Sequence, residues 1–324
     1  MGSLFLFAMG EIPHLDLNRF LSGDARIKQT FVEAIGKGFN EIGFVALKGH
    51  FLSAEHISQL YASVQSFFQL PLDEKMNYHI EGGGGQRGYT PFGKESAEGK
   101  NIGDLKEFWH FGQEVASDSE YHADYAPNVA VPVIPHFNRL GMETFRLLEK
   151  TALEVLRAIA LYLELEENYF DPYVKEGNSI LRAIHYPPIT AAPKGAVRAA
   201  AHGDINLITL LMGAQGSGLE VKNRKGEWVA AVAEADELMI NIGDMLSRFT
   251  NNHLKSTIHR VVNPPKAQWG SSRYSIPFFM HPVKNMDLSC LPSCVDASHP
   301  KQFEDITAGA FLEQRLQALG LIKK

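Results

Sequence analysis

A histidine and an aspartate stand two residues apart at the head of an apolar run in the second half of the chain. His202 and Asp204 lie in AAHGDINLITLLMG, residues 200 to 213. We interpret this run as a β-strand, in which side chains two residues apart project from the same face. An imidazole and a carboxylate that project together can bind one metal ion, and a later strand should supply the next ligand.

Three histidines in the second half are candidates for that ligand: His253, His259 and His281. In the segment HLKSTIHRVV, His259 is predicted to lie within a strand, where it alternates with Thr257 and Val261. By contrast, His253 follows two asparagines in a segment typical of a turn. We therefore predict that His259 completes the set.

Two neutral imidazoles and one carboxylate on one face of a metal leave three positions open. Non-haem iron(II) uses this arrangement to bind oxygen and an organic ligand together. Zinc can use the same three groups for hydrolysis, so the ligands alone leave the metal open.

A second pair of residues favours a carboxylate ligand. Arg273 and Ser275 are also two apart, in SSRYSIPFFM, fourteen residues past His259. A solitary arginine is most often part of a surface salt bridge. An inward arginine, however, needs an anion, and its planar fork matches a carboxylate with two parallel hydrogen bonds. With Ser275 adding a further hydrogen bond, the pair predicts a carboxylate pocket near an open metal.

Composition narrows the class of protein. The 324 residues are 45% hydrophobic and 21% charged, which is typical of a globular protein. The net charge is −6 and no run of lysine and arginine occurs, so we expect no nucleic-acid partner. No segment approaches the roughly 18 apolar residues of a membrane span, and the apolar N-terminal stretch lacks the basic start of a signal peptide. With only Cys290 and Cys294 we expect two inert thiols and a reduced, cytoplasmic setting.

The elements that must position these residues change in character along the chain. Helical periodicity predicts helices over residues 25–43, over 53–70 with Ser53 as the cap, and over Phe137 to Leu165, the longest. After these come short β-branched or aromatic segments separated by turn residues, which favour an antiparallel jelly roll. The predicted fold is therefore α+β, with a mostly helical N-terminal half, a double-sheet core and a C-terminal closing helix over 311–324. We divide the chain into an N-terminal region of helices and strands (11–125), a connecting long-helix region (126–175), a jelly-roll core (176–284) and a C-terminal tail and helix (285–324), in one compact unit.

The ordered motifs resemble a known family. In addition to His202-x-Asp204, His259 and Arg273-x-Ser275, the chain carries YPP at 186–188, NIGDML at 241–246 and RYSIPFF. The set is similar to the iron(II)- and 2-oxoglutarate-dependent oxygenases of the isopenicillin N synthase type. The similarity extends from IPHLDL through GFVALKGH and RGYTPFGKE to ITAGAFLEQRL, nearly the whole chain.

The resemblance implies a double-stranded β-helix and a role for each matched residue. Three residues would bind iron and three would hold 2-oxoglutarate, Arg273 and Ser275 through its distal carboxylate and Tyr186 through its hydroxyl. The implied iron ligands are His202, Asp204 and His259. Where many family members have Tyr-Tyr-Pro, this chain has His185-Tyr186-Pro187. Strand alternation would turn His185 to the opposite face from Tyr186.

The resemblance also implies a reaction, in which 2-oxoglutarate and oxygen are consumed, succinate and carbon dioxide are released, and a C–H bond of a small molecule is oxidised. One alternative is a cosubstrate-free iron oxidase, as in isopenicillin N synthase, where Arg-x-Ser would bind the substrate's own carboxylate. A second is a non-catalytic metal or small-acid binding protein on the same barrel.

Other residues receive less specific interpretations. Arg87 and Tyr89, in the glycine-rich segment at 81–93, are predicted substrate contacts, although a solvated loop arginine is the more ordinary interpretation of Arg87. We expect Asp244, beside Gly243, to fix a turn between strands. Trp109 and the pair Phe278-Phe279 are predicted core residues.

Overall fold

A computed structural model describes residues 11–95, 103–193, 195–213 and 218–318. Twelve strands are described. They are β1 (His14–Asp16), β2 (Phe44–Lys48), β3 (Gly88–Thr90), β4 (Glu107–Gly112), β5 (Ile180–Tyr186), β6 (Ala199–His202), β7 (Ile208–Met212), β8 (Leu219–Lys222), β9 (Trp228–Ala230), β10 (Leu238–Ile242), β11 (His259–Val261) and β12 (Arg273–Met280). The described α-helices are α1 (Leu17–Leu21), α2 (Ala25–Glu41), α3 (Ala54–Phe68), α4 (Leu72–Met76), α5 (Phe137–Tyr162), α6 (Asp171–Val174), α7 (Asp244–Phe249) and α8 (Ala308–Ala318).

The strands form two sheets that pack face to face. The larger sheet has the order β1-β2-β10-β7-β12-β5-β4-β3, and the smaller has the order β6-β11-β8-β9. Apolar side chains from both sheets meet between them, among them Phe44 and Met239 of the larger sheet and Val221 and Val261 of the smaller. This is the double-sheet jelly roll that the sequence predicts.

The outer face of the larger sheet is covered by helices. Side chains along β5, β7 and β12 point alternately to the two faces of the sheet. On the outer face, Leu181, Leu210 and Phe278 belong to the main core, together with the buried side chains of α5. The rings of Phe145 and Phe278 meet edge-on with centroids 5.0 Å apart. At the start of α3, the Ser53 hydroxyl accepts the His56 N–H, as the predicted cap requires. The helix α5 thus supports, from behind, the strands that carry the site.

The mostly helical N-terminal half also contributes strands to the larger sheet. Strands β1 to β4 all join the larger sheet, at its two ends. Every residue of β4 is buried, so this strand shows none of the alternation that reveals a half-buried strand, and β3 has only three residues. Pro71 ends the predicted helix, but a short further helix, α4, begins directly after it.

Two segments singled out in the sequence extend beyond the described part of the chain. The apolar N-terminal stretch lies largely within residues 1–10, which are outside it, and so do residues 319–324 of the predicted closing helix. Among the described residues, we find no helix with the length and apolar character needed to cross a bilayer.

Candidate metal and carboxylate site

Strand pairing, rather than one continuous strand, brings the three predicted metal ligands together. His202 is the last residue of β6, and Asp204 lies in the connection to β7, which begins only at Ile208. The prediction that His202 and Asp204 share a strand is therefore wrong, because the chain turns between them. His259, the first residue of β11, is the direct antiparallel partner of His202.

The three side chains form a compact cluster. Their potential ligand atoms all lie within 4.8 Å of one another. The Oδ1 atom of Asp204 is 3.9 Å from Nε2 of His202 and 3.8 Å from Nε2 of His259. The Oδ1 atom of Asp204 and the two Nε2 atoms surround a common point, yet no two of these three atoms are hydrogen-bonded to each other. A metal ion between them would replace the missing contacts.

Hydrogen bonds to the other atoms of these groups fix their orientation. Nδ1 of His202 donates to the Ala200 carbonyl at 2.7 Å, and Nδ1 of His259 donates to the Thr257 carbonyl at 3.1 Å. With the proton on Nδ1, the lone pair of each imidazole is on Nε2, which faces the cluster. The chain thus selects the tautomer that can bind a metal.

The carboxylate of Asp204 is held in the same way. Its Oδ2 accepts the Thr209 hydroxyl at 2.7 Å and the Asn241 amide at 2.8 Å, which leaves Oδ1 toward the imidazoles. Burial alone would raise the pKa of Asp204, but the two imidazoles and these hydrogen bonds lower it. Burial, reinforced by the neighbouring His259, lowers the pKa of His202 to about 4. At neutral pH Asp204 is therefore a carboxylate and His202 a neutral imidazole. Two histidine rings and one carboxylate are a donor set that suits iron(II).

The other two candidate histidines lie outside the cluster. The ring of His253 stacks on Tyr162 of α5, with centroids 5.8 Å apart. His281 follows β12, where its N–H donates to the Ser179 hydroxyl. Its Nδ1 is buried and has no hydrogen-bond partner within the described part of the chain. The cluster of potential ligands that the described residues form contains neither of them.

The predicted carboxylate anchor lies on the inner face of the larger sheet. Arg273 is the partner of Tyr186 across β12 and β5, and Ser275 is the partner of Ile184. The Arg273 guanidinium carbon is 5.2 Å from the centroid of the Tyr186 ring. Nη2 of Arg273 donates to the Gly213 carbonyl at 3.4 Å, whereas its Nη1 is buried and unpartnered among the described residues. Arg273, Ser275 and Tyr186 thus lie together on one face of the paired strands β12 and β5, where a buried guanidinium donor has no acceptor among the described residues.

A second arginine beside this pocket is absent from the residues that the sequence predicts. The Arg198 guanidinium carbon is 5.8 Å from the Tyr186 ring centroid, and the residue is only 5% exposed. Its Nη2 donates to the Ser271 carbonyl at 3.4 Å, and its buried Nε has no partner in the described ranges. In the sequence, Arg198 could have been noticed because it stands four residues before His202, a spacing that places two side chains on the same face of an extended chain.

A polar cluster adjoins the metal ligands on the same inner face. Arg182 of β5 lies between two phenylalanine rings, 4.2 Å from the centroid of Phe108 and 5.3 Å from that of Phe279. Its guanidinium pairs with Glu95 at 3.1 Å. Phe279 is the strand partner of Thr209, whose hydroxyl holds Asp204. The motifs that predict the site do not include Arg182. The only motif on β5 begins at Tyr186, at the end of the strand, and gives no indication that Arg182, four residues earlier, lies on the same face.

Arg87 and Tyr89 occupy structural positions instead of the predicted ones. Arg87 is 3% exposed, and its guanidinium donates to the backbone carbonyls of Ala126 at 3.0 Å and Gln86 at 2.8 Å. Tyr89 is fully buried in the main core and donates its hydroxyl to Glu107. Protein groups bind both side chains, so we replace the predicted substrate contacts, and the solvated-loop interpretation of Arg87, with structural roles.

His185 faces away from the metal cluster, as alternation predicts. Its Nδ1 lies 2.7 Å from Glu107, and Nε2 lies 3.0 Å from the Ser272 hydroxyl. Its ring stacks on Tyr274 with centroids 4.7 Å apart. The same Glu107 accepts a hydrogen bond from the buried Lys75 ammonium at 2.7 Å. This ionic network fixes the back of the sheet behind Tyr186 and Arg273.

The less specific interpretations have mixed outcomes. Trp109 and Phe278 are fully buried, whereas Phe279 is half-buried on the inner face. Asp244 begins helix α7, so the prediction of a turn between strands is wrong there. Both cysteines are free thiols.

Family models match two parts of the chain. Residues 12–132 match a model described as non-haem dioxygenase in morphine synthesis N-terminal. Residues 177–282 match the model of the 2OG-Fe(II) oxygenase superfamily. The second match contains the metal cluster and the residues of the carboxylate pocket.

Relatives and solved structures are similar over nearly the full length. The 2-oxoglutarate-Fe(II) type oxidoreductase hxnY of Emericella nidulans is 31% identical over 314 residues, covering 92% of this chain and 89% of that protein. A 2OG-Fe(II) oxygenase family protein from Caulobacter crescentus is 43% identical, with a TM-score of 0.86 and coverage of 94% and 98%. A full-length protein of Neurospora crassa, solved in complex with alpha-KG and thymine, is 32% identical, with a TM-score of 0.83 and coverage of 95% and 96%.

Proposed function

The chain belongs to the 2OG-Fe(II) oxygenase superfamily, and from that premise we propose that His202, Asp204 and His259 hold its catalytic iron while it oxidises a C–H bond of a small molecule. It is a dioxygenase that uses iron(II), 2-oxoglutarate and oxygen. The compact His-Asp-His cluster, with both Nε2 atoms and Oδ1 facing inward, is the observation that carries the residue assignment.

Iron(II), when bound, supplies the activation of oxygen that converts 2-oxoglutarate to succinate and carbon dioxide and oxidises the substrate. The chain's own residues orient the three metal ligands and cover one side of the site. The Ala200 and Thr257 carbonyls fix the imidazole tautomers, and Thr209 and Asn241 fix the carboxylate. Three protein ligands would leave positions open for the cosubstrates, and Phe44, edge-on to the His259 ring at 5.6 Å, covers one side of the site with an apolar group.

We assign the distal carboxylate of 2-oxoglutarate to Arg273 and Ser275, with Tyr186 beside it. The support is the buried Nη1 of Arg273, which has no acceptor in the described part of the chain and costs free energy unless one is supplied. A guanidinium also presents two parallel donors to one carboxylate, which a lysine cannot do.

We place the substrate against the inner face of the larger sheet, beside Arg182 and Phe279. Phe279 is next to Thr209 in the sheet and is half-buried, so its ring borders the space in front of the metal ligands. Arg182 with Glu95 supplies charged hydrogen-bonding groups at the far side of that ring. Such a wall suits a small polar molecule with an apolar face, and thymine, the ligand in the Neurospora crassa complex, is of this kind.

The names of the relatives support 2-oxoglutarate dependence over the cosubstrate-free oxidase and over a non-catalytic binding protein. The free thiols of Cys290 and Cys294 support the reduced cytoplasm as the setting.

The residue assignment is tested by iron-dependent release of succinate in paired variants. His259→Ala should abolish release and weaken iron binding, because it removes a ligand. His253→Ala, which removes a histidine stacked on α5, is the matched control and should retain both. Full activity in His259→Ala would remove this residue from the ligand set.

A second pair of measurements tests the anchor. Arg273→Lys keeps the charge but loses the fork, so we expect the apparent 2-oxoglutarate constant to rise about ten- to a hundredfold. Iron affinity, measured separately in a calorimeter, should scarcely change. An unchanged dependence on 2-oxoglutarate would contradict the anchor.

A further inference from the structure

Two guanidinium groups, one from the buried Arg198 and one from the partly buried Arg273, lie beside one tyrosine ring, and no carboxylate of the described residues pairs with either. Arg198 and Arg273 lie with their Cζ atoms 5.8 and 5.2 Å from the centroid of Tyr186. Arg198 precedes β6 and Arg273 begins β12, so different parts of the chain deliver them to the same place. Such convergence of like charges is costly unless an anion accompanies it.

The hydrogen bonds of the two arginines are incomplete in the same way. Each has one 3.4 Å bond to a backbone carbonyl, from Arg198 to Ser271 and from Arg273 to Gly213. Each also has a buried donor to which no described residue offers an acceptor, Nε of Arg198 and Nη1 of Arg273. Within the ranges that the structure describes, no carboxylate oxygen forms a salt bridge with either.

Nearby carboxylates are engaged elsewhere. Asp104 pairs with Lys106 at 2.9 Å and accepts the Ala200 N–H at 3.1 Å. Glu95 pairs with Arg182 and Lys106. Burial lowers the pKa of Arg198, and the neighbouring Arg273 lowers it further, so the pocket disfavours its own charge. These features are those of a binding site for an external anion.

We propose that Arg198 is a second arm of the 2-oxoglutarate anchor and that it binds the distal carboxylate together with Arg273. The proposal rests on the proposed function, which supplies that carboxylate. Arg198 is already tied to the strand entry that carries Arg273, through the Ser271 carbonyl. Two guanidinium groups beside the same ring, each with a donor that no described residue accepts, can together donate to both oxygens of one carboxylate. The pocket would then prefer a dicarboxylate strongly over a 2-oxo acid with an apolar end.

Truncation of the ligand tests this proposal directly. The ligands are 2-oxoglutarate and 2-oxopentanoate, which has a methyl group where 2-oxoglutarate has its distal carboxylate. Binding of each to the iron(II)-loaded protein is measured without oxygen by calorimetry, so that turnover is not required. The variants are Arg198→Gln and Arg198→Lys. Arg139→Gln, which removes an exposed arginine paired with Glu143 on α5, is the matched control.

We expect Arg198→Gln to weaken 2-oxoglutarate binding about ten- to a hundredfold and to leave 2-oxopentanoate binding unchanged. Arg198→Lys should show a smaller loss, because it keeps the charge but not the planar fork. If Arg198→Gln does not fold, the ratio of the two affinities in Arg198→Lys gives the same answer. Arg139→Gln should bind both ligands as the unmodified protein does.

Three results would overturn the proposal. Equal weakening of both ligands would make Arg198 a structural residue. Undiminished preference for 2-oxoglutarate in Arg198→Gln would exclude it from the anchor while leaving the proposed function intact. Absence of 2-oxoglutarate binding in the unmodified protein would instead refute the proposed function, and this proposal with it.

Discussion

The hydrogen bond from Thr209 to Asp204 offers a sharp test of how the chain prepares its metal site. The hydroxyl donates to Oδ2 at 2.7 Å, while Oδ1 faces the imidazoles. Thr209→Val replaces the hydroxyl with a methyl group of nearly the same shape and leaves the three ligands in place. Thr209 is 3% exposed, so water has little access to take over the lost bond.

The expected loss follows from the charge of the acceptor. A hydrogen bond to a charged group contributes about 1.5–3 kcal/mol, and about 1.4 kcal/mol corresponds to a factor of ten. Iron(II) binding should therefore weaken about ten- to a hundredfold, which is the range typical for groups that hold a metal ligand. The Asn241 amide remains at 2.8 Å, so binding should not be abolished.

The effect should also depend on pH. The bond from Thr209 is one of the contacts that lower the pKa of Asp204, so its loss raises that pKa. Protons then compete with iron over a higher pH range than before. The difference in affinity between Thr209→Val and the unmodified protein should consequently widen as the pH falls.

The assay is an anaerobic titration of iron(II) against a competing coloured chelator at several pH values. Thr30→Val is the matched control, because its hydroxyl donates to a backbone carbonyl on the exposed helix α2. Iron affinity of Thr209→Val equal to that of Thr30→Val, with an unchanged thermal midpoint, would refute the reasoning.

Three further perturbations have expected outcomes. Glu107→Gln leaves the buried Lys75 without its anion, so the free energy of unfolding in urea should fall by about 3–5 kcal/mol; a loss near zero would contradict the buried pair. Burial lowers the pKa of His281 to about 4 from 6.5, so the unfolded chain takes up a proton first and the metal-free protein should lose stability as the pH falls from 6.5 toward 4. His281→Gln should reduce this loss in thermal melts, and an identical pH profile would argue against it. Gly213 has a φ of +90°, and a Cβ there would lie 2.5 Å from the Tyr61 hydroxyl. Gly213→Ala should therefore displace the carbonyl that Arg273 contacts and weaken 2-oxoglutarate binding in calorimetry. Unchanged binding would show that the position of this carbonyl does not affect the anchor.

Polar side chains that stand beside apolar segments, and long stretches with helical periodicity, were predictable from the sequence. The clustering of His202, Asp204 and His259 was predictable because imidazoles and a carboxylate at the edges of apolar runs are costly to bury unless they bind something. Their order along the chain also resembles that of a family. The helix α5 was predicted because its apolar stripe repeats over many turns, and it ends within three residues of the expected Leu165.

Features that depend on pairing between distant segments were not predictable. Asp204 lies past the end of β6, which its spacing from His202 alone does not reveal, since the end of a strand is set by its partner β11. The burial of Arg87 depends on the backbone carbonyls of Gln86 and Ala126, which no side-chain pattern reveals. For Arg198 the strand pattern was present, but only the three-dimensional contact with Tyr186 gives it meaning.

The sheet order has a consequence for any attempt to isolate the core. Strand β10 pairs with β2, and β5 pairs with β4, so each margin of the central strands is completed by the N-terminal half. A fragment of residues 177–282 would expose the unpaired backbone of β10 on one side and of β5 on the other. Such open margins recruit strands from other molecules, and the fragment would therefore aggregate even though it contains every proposed iron ligand. The N-terminal half thus pairs with both margins that the core strands would otherwise leave open.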